Sequence, residues 1–316
     1  MGTAVGMSIP ETLHVVVTCT NRKTRAVPGL LHLGSVPGGD SSERARQWIR
    51  RISADNSPLI AARDLYAGEH WMISRGLAGQ ATGSPAQLWA CSAGYGLIPA
   101  DALVRPYAAT FTSGHPDSVP AGTDGAAAWW QALSLWEGPS PGQPRSIRAL
   151  AQADPAASFL LVLSASYLDA CREDIAVASK LVHDPDHFMV VSAGARNPGK
   201  LGGVLVPGDA RLQTFLGGTR QALNVRIAAH LVSAGIRSRT EAGRQLACLL
   251  EQQPPLTRYE RKKLSDAEVL ALIKSGLDQS PGTSASRLLR QIRDAGYACE
   301  QRRFGHLFQV FRENAT

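Results

Sequence analysis

The residues of this chain that can do chemistry gather where short apolar runs give way to polar turns. The run ending in Val17-Thr18-Cys19 passes into Thr20-Asn21-Arg22-Lys23, and a second ends in Cys91-Ser92-Ala93-Gly94-Tyr95. Between them lies Ala62-Arg63-Asp64-Leu65-Tyr66, and Arg105-Pro106-Tyr107 follows. Asp64 offers a carboxylate that could serve as base, as nucleophile or as stabiliser of an oxocarbenium ion. Its competing role is to cap a helix beginning at Leu65. Asn21 and Lys23 could orient a base edge or bind phosphate. Tyr66, Tyr95 and Tyr107 supply rings on which a base could stack, together with hydroxyl donors. Cys19 and Ser92 complete the candidate base-binding set, although a cysteine in an apolar strand suits packing better than nucleophilic attack.

Two further runs end in the same style, at Ser164-Ala165-Ser166-Tyr167 and Ser192-Ala193-Gly194. Small hydroxyl residues at the end of an apolar strand suit the carboxyl edge of a parallel sheet, where open α/β folds bind ligands. Gly217-Gly218-Thr219 precedes a long helical stretch whose first amides could cradle a phosphate. It lacks the full phosphate-loop pattern. His183-Asp184-Pro185-Asp186-His187 has the composition of a metal cluster, but Pro185 breaks the helix that would align it, so an exposed loop without metal is expected.

The elements that must position these residues follow from apolar patterning. Runs at 14–19, 88–93, 158–163, 188–192 and 203–206 have the length of buried strands. Helix-like stretches at 41–52, 125–136, 170–181 and 212–235 alternate with them. This predicts an α/β fold with a mostly parallel sheet covered by helices. Residues 138–146, rich in Pro and Gly, predict a surface loop. After Gly235 the chain turns to helices and caps. Thr257 with Glu260 and Ser265 with Glu268 both fit the capping box. Helices are expected at 284–295, stopped by Gly296, and at 300–311. The expected division is an α/β domain at 1–250 and a small all-helical, helix-turn-helix-like module at 251–316.

The order and wording of the four segments around Cys19, Asp64, Ser92 and Tyr107 resemble the YaaA-like group, the peroxide-stress protein and its relatives, over roughly residues 14–111. The resemblance implies association with DNA, with 7-deazaguanine base modification and with genome defence. Gly94 stands where the group often carries Lys or another larger residue, and the stretch between Lys23 and Ala62 is longer than usual.

Charge points the same way. The chain of 316 residues carries a formal +7, and from Ile236 to Thr316 it has 14 Lys and Arg against 9 Asp and Glu. Positive charge concentrated at one end reads as a polyanion footprint. Arg287, Arg290 and Arg293 form a stripe three residues apart, suited to phosphates, and Gln301, Arg302 and Arg303 open the next helix, where they could meet base edges. Five scattered cysteines argue against a disulfide framework and predict a reducing cytoplasm. No apolar run reaches the roughly 18 residues of a membrane helix, and neither a secretory signal nor a myristoylation start is expected.

Together these features predict a DNA-acting enzyme that binds an extruded, modified nucleobase and cleaves its N-glycosidic bond, a chemistry that needs no cofactor and suits antiphage defence. Its partner would be DNA, single-stranded or with a flipped base. The competing expectations are a non-catalytic DNA-binding or DNA-protection protein, a 7-deazaguanine base-modifying enzyme and, more weakly, action on RNA.

Overall fold

The computed structural model describes residues 12–81, 85–120, 123–195, 199–256 and 260–314. The chain divides into two compact units, Met1–Pro254 and Pro255–Thr316. The strands of the first are β1 (Leu13–Thr18), β2 (Ile60–Ala61), β3 (Ala86–Ser92), β4 (Gly96–Pro99), β5 (Leu103–Val104), β6 (Ser158–Val162) and β7 (Phe188–Val191). Its helices are α1 (Ser41–Ala54), α2 (Ala62–Leu65), α3 (Glu69–Gln80), α4 (Thr123–Leu135) and α5 (Ile147–Ala153), followed by α6 (Ala165–Ala170) and α7 (Arg172–Ala178). Three more, α8 (Leu212–Leu216), α9 (Leu223–Ser233) and α10 (Arg239–Glu251), complete it.

The main sheet runs β4-β3-β1-β6-β7, parallel except for β4. Every residue of β1 is buried, as a strand covered on both faces by helices must be. In register, Val15 lies between Leu88 and Leu160, so three aliphatic side chains meet at the centre of the sheet. From β1 the chain moves to one flank through β3, then crosses to the other flank at β6. The direction of winding therefore reverses between β1 and β6, where doubly wound sheets leave a crevice at their carboxyl edge. The α1 helix shows how the sequence builds the covering layer. Asp40 caps it by accepting from the Glu43 amide at 2.8 Å, and Ala45, Trp48 and Ile52 form its buried stripe.

Several boundaries differ from the patterning. The helix expected at 170–181 begins earlier and is split at Cys171 into α6 and α7. The stretch 212–235 is broken at Gly217 and Gly218, whose φ angles of 67° and 72° are left-handed. Residues 203–206 make only an isolated bridge, from Leu205 to Val190. The segment 138–146 ends in the core rather than on the surface, because Arg145 is 8% exposed. Helices α3 and α5 and the antiparallel β4 carry no periodic signal strong enough to show in the sequence.

The second unit contains β8 (Lys262–Lys263), α11 (Asp266–Gln279), α12 (Ala285–Asp294), β9 (Tyr297–Ala298) and α13 (Gln301–Asn314). Val269, Ile273, Leu288, Leu289, Ile292, Phe304 and Phe308 close a core of its own. Ser265 and Glu268 form the expected capping box at the start of α11. The second expected box, at Thr257, lies outside the described residues. Among the described residues no helix is long and apolar enough to cross a membrane.

Candidate active site

The loop after β1 is fastened to the segment around α2. Thr24 donates its amide to the Leu65 carbonyl at 2.9 Å and its hydroxyl to the Asp64 carbonyl at 2.7 Å. The Ala67 amide returns a bond to the Arg22 carbonyl at 3.0 Å. This stitching brings Lys23 against Tyr66. The Lys23 amine lies 4.9 Å from the centre of the Tyr66 ring and 4.7 Å from that of Tyr107, and it donates to the Thr20 carbonyl. The lysine as a residue is only half-buried, but the surroundings of its amine lower its pKa to about 8, because burial disfavours the ammonium form; the sulfur of Cys19 opposes this weakly.

Behind the amine runs a chain of buried hydroxyls. Tyr66 and Tyr107 share a hydrogen bond at 2.9 Å, and Tyr107 shares another with Ser92 at 2.6 Å. The Ser92 oxygen already accepts from the Gly94 and Tyr95 amides, at 3.1 and 2.9 Å. A hydroxyl has two acceptor positions and one hydrogen, so Ser92 is left to donate to Tyr107. Tyr107 in turn passes its hydrogen forward, to Tyr66 or to the Cys19 sulfur at 3.6 Å. The order of hydrogens is thereby fixed from Ser92 to Tyr107. Burial first, and the nearby Cys19 second, push the phenols of Tyr66, Tyr107 and Tyr167 well above the ordinary tyrosine range. All three remain donors at physiological pH. Burial favours the neutral form of the lysine as it does of the phenols, and only the lysine is thereby brought near physiological pH.

Cys19 joins the chain from the β1 side, 3.3 Å from the hydroxyl of Tyr167. Because Tyr167 lies on α6, directly after β6, this contact spans the reversal point of the sheet. The ends of the two strands are tied there, since Thr18 accepts from the Ser164 amide at 3.0 Å. Asn224 on α9 ties the next pair of strand ends. It donates to the Leu163 carbonyl at 2.9 Å and accepts from the Ala193 amide at 2.7 Å. His70 on α3 lies 3.2 Å from the Thr18 carbonyl, and burial lowers its pKa, so the ring stays neutral.

The turn that carries Ser92 is held from outside. Indole N–H groups of Trp129 and Trp48 donate to the Ala93 and Gly94 carbonyls, both at 2.8 Å. Arg145 donates to the carbonyls of Leu97, Tyr95 and Trp136, and burial lowers its pKa to about 10. Gly94 is required where it stands. A Cβ there would lie 2.3 Å from the Tyr107 ring.

The structure thus unites Cys19, Lys23, Tyr66, Ser92 and Tyr107, as expected, and adds Tyr167, His70, Asn224 and Arg145. The first of these additions is visible in the sequence as a strand-end residue; the other three carry no local sequence signal. Several expected roles change. Tyr66, Tyr95 and Tyr107 do not offer faces to a base. They meet edge to face, with Tyr95 and Tyr107 5.2 Å apart and Tyr66 and Tyr107 6.4 Å apart, while Tyr95 also stacks on Trp136. Asp64 lies on the outward side of α2, half exposed and 3.6 Å from Arg75. Its short helix buries Ala62 and Leu65 instead. Asn21 is exposed on the rim.

The expected phosphate cradle at Gly217-Gly218-Thr219 is corrected by its surroundings. Thr219 donates to the Glu69 carboxylate at 2.7 Å, and Glu69 pairs with Arg226 at 2.6 Å. Gly218 admits this arginine, since a Cβ there would lie 2.0 Å from it. The Thr219 hydroxyl and the space over Gly218 are thus taken by the Glu69–Arg226 pair. Among the polar run at 183–187, Asp186 is engaged by Ser238 and Thr240, which fastens the start of α10.

Fold and site together define an α/β protein with a half-buried lysine beside a buried tyrosine-serine-cysteine cluster at the carboxyl edge of its sheet. Compared with family models, with curated proteins and with solved structures, the chain finds no match.

Proposed function

We propose that the protein is a DNA-acting enzyme that takes an extruded, modified nucleobase at the carboxyl edge of its sheet and breaks the bond between base and sugar. The observation that carries this is the Lys23 amine, held between two tyrosines and lowered by burial to a pKa of about 8. An amine with its pKa near the working pH is suited to proton transfer, and such perturbed groups concentrate at functional sites. In the proposed step the neutral amine takes a proton from water as the water oxygen attacks the sugar carbon. The carbon–nitrogen bond breaks, its electron pair leaves with the base, and the base gains a proton. The Lys23 ammonium formed as water attacks gives that proton to the leaving base, which restores the neutral amine.

The reacting role therefore passes from Asp64 to Lys23. This also favours an enzyme over a DNA-protection protein, for which a desolvated amine brings cost without use. The basic second unit would supply affinity for DNA, and modified phage DNA is the substrate that suits a defensive role. The test is incubation of the protein with unmodified DNA and with DNA carrying modified bases. Mass spectrometry then follows free base and an alkaline gel follows abasic sites. Free base with matching alkali-sensitive breaks is the expected result; bound DNA with neither would overturn the reading.

A further inference from the structure

We infer that the second unit grips the DNA backbone in a cationic cleft, and not along the exposed arginine face of α12. This deepens the reading that DNA is the partner. A cavity of about 480 Å3 lies beside the β8–β9 ladder, and Arg261, Lys263, Arg293 and Arg303 line it together with Glu300. Lys262 pairs with Tyr297 and Lys263 with Ala298 across that ladder, so the backbone fixes where Lys263 stands.

Four cations gather around one cavity. Arg303 pairs with Asp266 at 2.6 Å, and Arg293 gives one N–H to the Cys299 carbonyl at 2.9 Å. Glu300 is turned to the backbone, accepting from the Arg302 and Arg303 amides at 2.9 and 2.8 Å, where it starts α13. Its single charge leaves the lining positive. An arginine fork grips a phosphate through two parallel N–H bonds, and a lysine adds a point charge. A phosphodiester seated here would meet the lysine and the arginine side chains together.

The predicted stripe on α12 is different. Arg287 and Arg290 are exposed, and neither forms an ion pair among the described residues, so the stripe brings no second cation to one cavity. Arg287 borders a separate cavity with Thr283 and Ser284. Only Arg293 of the three enters the cleft.

The experiment compares two double substitutions in the full chain, Arg261→Gln with Lys263→Gln against Arg287→Gln with Arg290→Gln. Binding of a 20-base-pair duplex is measured by anisotropy across a salt series. Removing one phosphate contact lowers the slope of log affinity against log salt by about 1. The cleft pair is expected to lose at least about tenfold in affinity and about 2 in slope, and the α12 pair about twofold in affinity. A charge-conserving pair, Arg261→Lys with Lys263→Arg, should bind within about threefold of the parent, which separates the effect of charge from that of the fold. Equal losses from both doubles, a loss only on α12, or no duplex binding by the parent would each overturn the cleft. A parent that binds duplex but releases no base would instead overturn the reading of the first unit and leave the cleft standing.

Discussion

At the scale of single residues, Lys23 is the most consequential side chain. Its pKa is lowered on folding from 10.5 to about 8, so the folded chain binds fewer protons than the unfolded chain between those values. Stability should therefore rise with pH across that window, by up to about 1.4 kcal/mol per pH unit from this group alone. Denaturant midpoints measured from pH 7 to 10.5 should show this rise in the parent and a smaller one in Lys23→Met, which removes the contribution. Base release should follow the same group in the opposite sense to an acid catalyst. The single-turnover rate should climb as pH passes through about 8, because the neutral amine is the acting form. A rate that falls through that range would assign Lys23 to the protonated role instead. Asp64→Asn, whose carboxylate meets Arg75 at the surface, should change the rate less than threefold.

At the scale of elements, the turn after β3 couples packing to the site. Ser92, Gly94 and Tyr95 lie within four residues, and the Tyr107 ring passes over the glycine. Gly94→Ala places a methyl group against a ring already surrounded by Trp48, Tyr66 and Tyr95. It should cost about 1–3 kcal/mol, the range for overpacking a filled core, and should break the Ser92–Tyr107 bond, which urea denaturation and base release together would detect. Asn224→Ala should cost about 1–3 kcal/mol, since it leaves the Leu163 carbonyl and the Ala193 amide without their partner. These two elements also show what the sequence makes legible. The ends of β1, β3, β6 and β7 are readable because apolar runs stop abruptly in small hydroxyl residues, and that places Cys19, Lys23 and Ser92 at one sheet edge. Asn224, His70 and Arg145 are not readable, since each acts through a bond to a carbonyl far away in sequence. The outward turn of Asp64 is hidden for another reason. Within a four-residue helix, neither apolar period nor capping pattern shows which side chain faces the core.

At the scale of the whole molecule, each unit closes its own core, and all six tryptophans lie in the first. Tryptophan fluorescence therefore reports the α/β unit alone. Phe304 is 1% exposed in the second core, and Phe304→Ala should cost about 3–5 kcal/mol. Circular dichroism should then lose helix while the fluorescence-monitored transition stays where it was. A joint shift of both signals would mean that the units unfold as one. The same division separates affinity from chemistry: charge in residues 255–316 is expected to hold DNA, and the sheet edge to act on it. The central claim, that Lys23 drives cleavage between base and sugar, is tested most directly by mass spectrometry of free base released from modified phage DNA. Parent and Asp64→Asn should release base, and Lys23→Gln should release none while still retarding DNA on a gel. Release by Lys23→Gln at the parent rate, or no release by the parent, would contradict it.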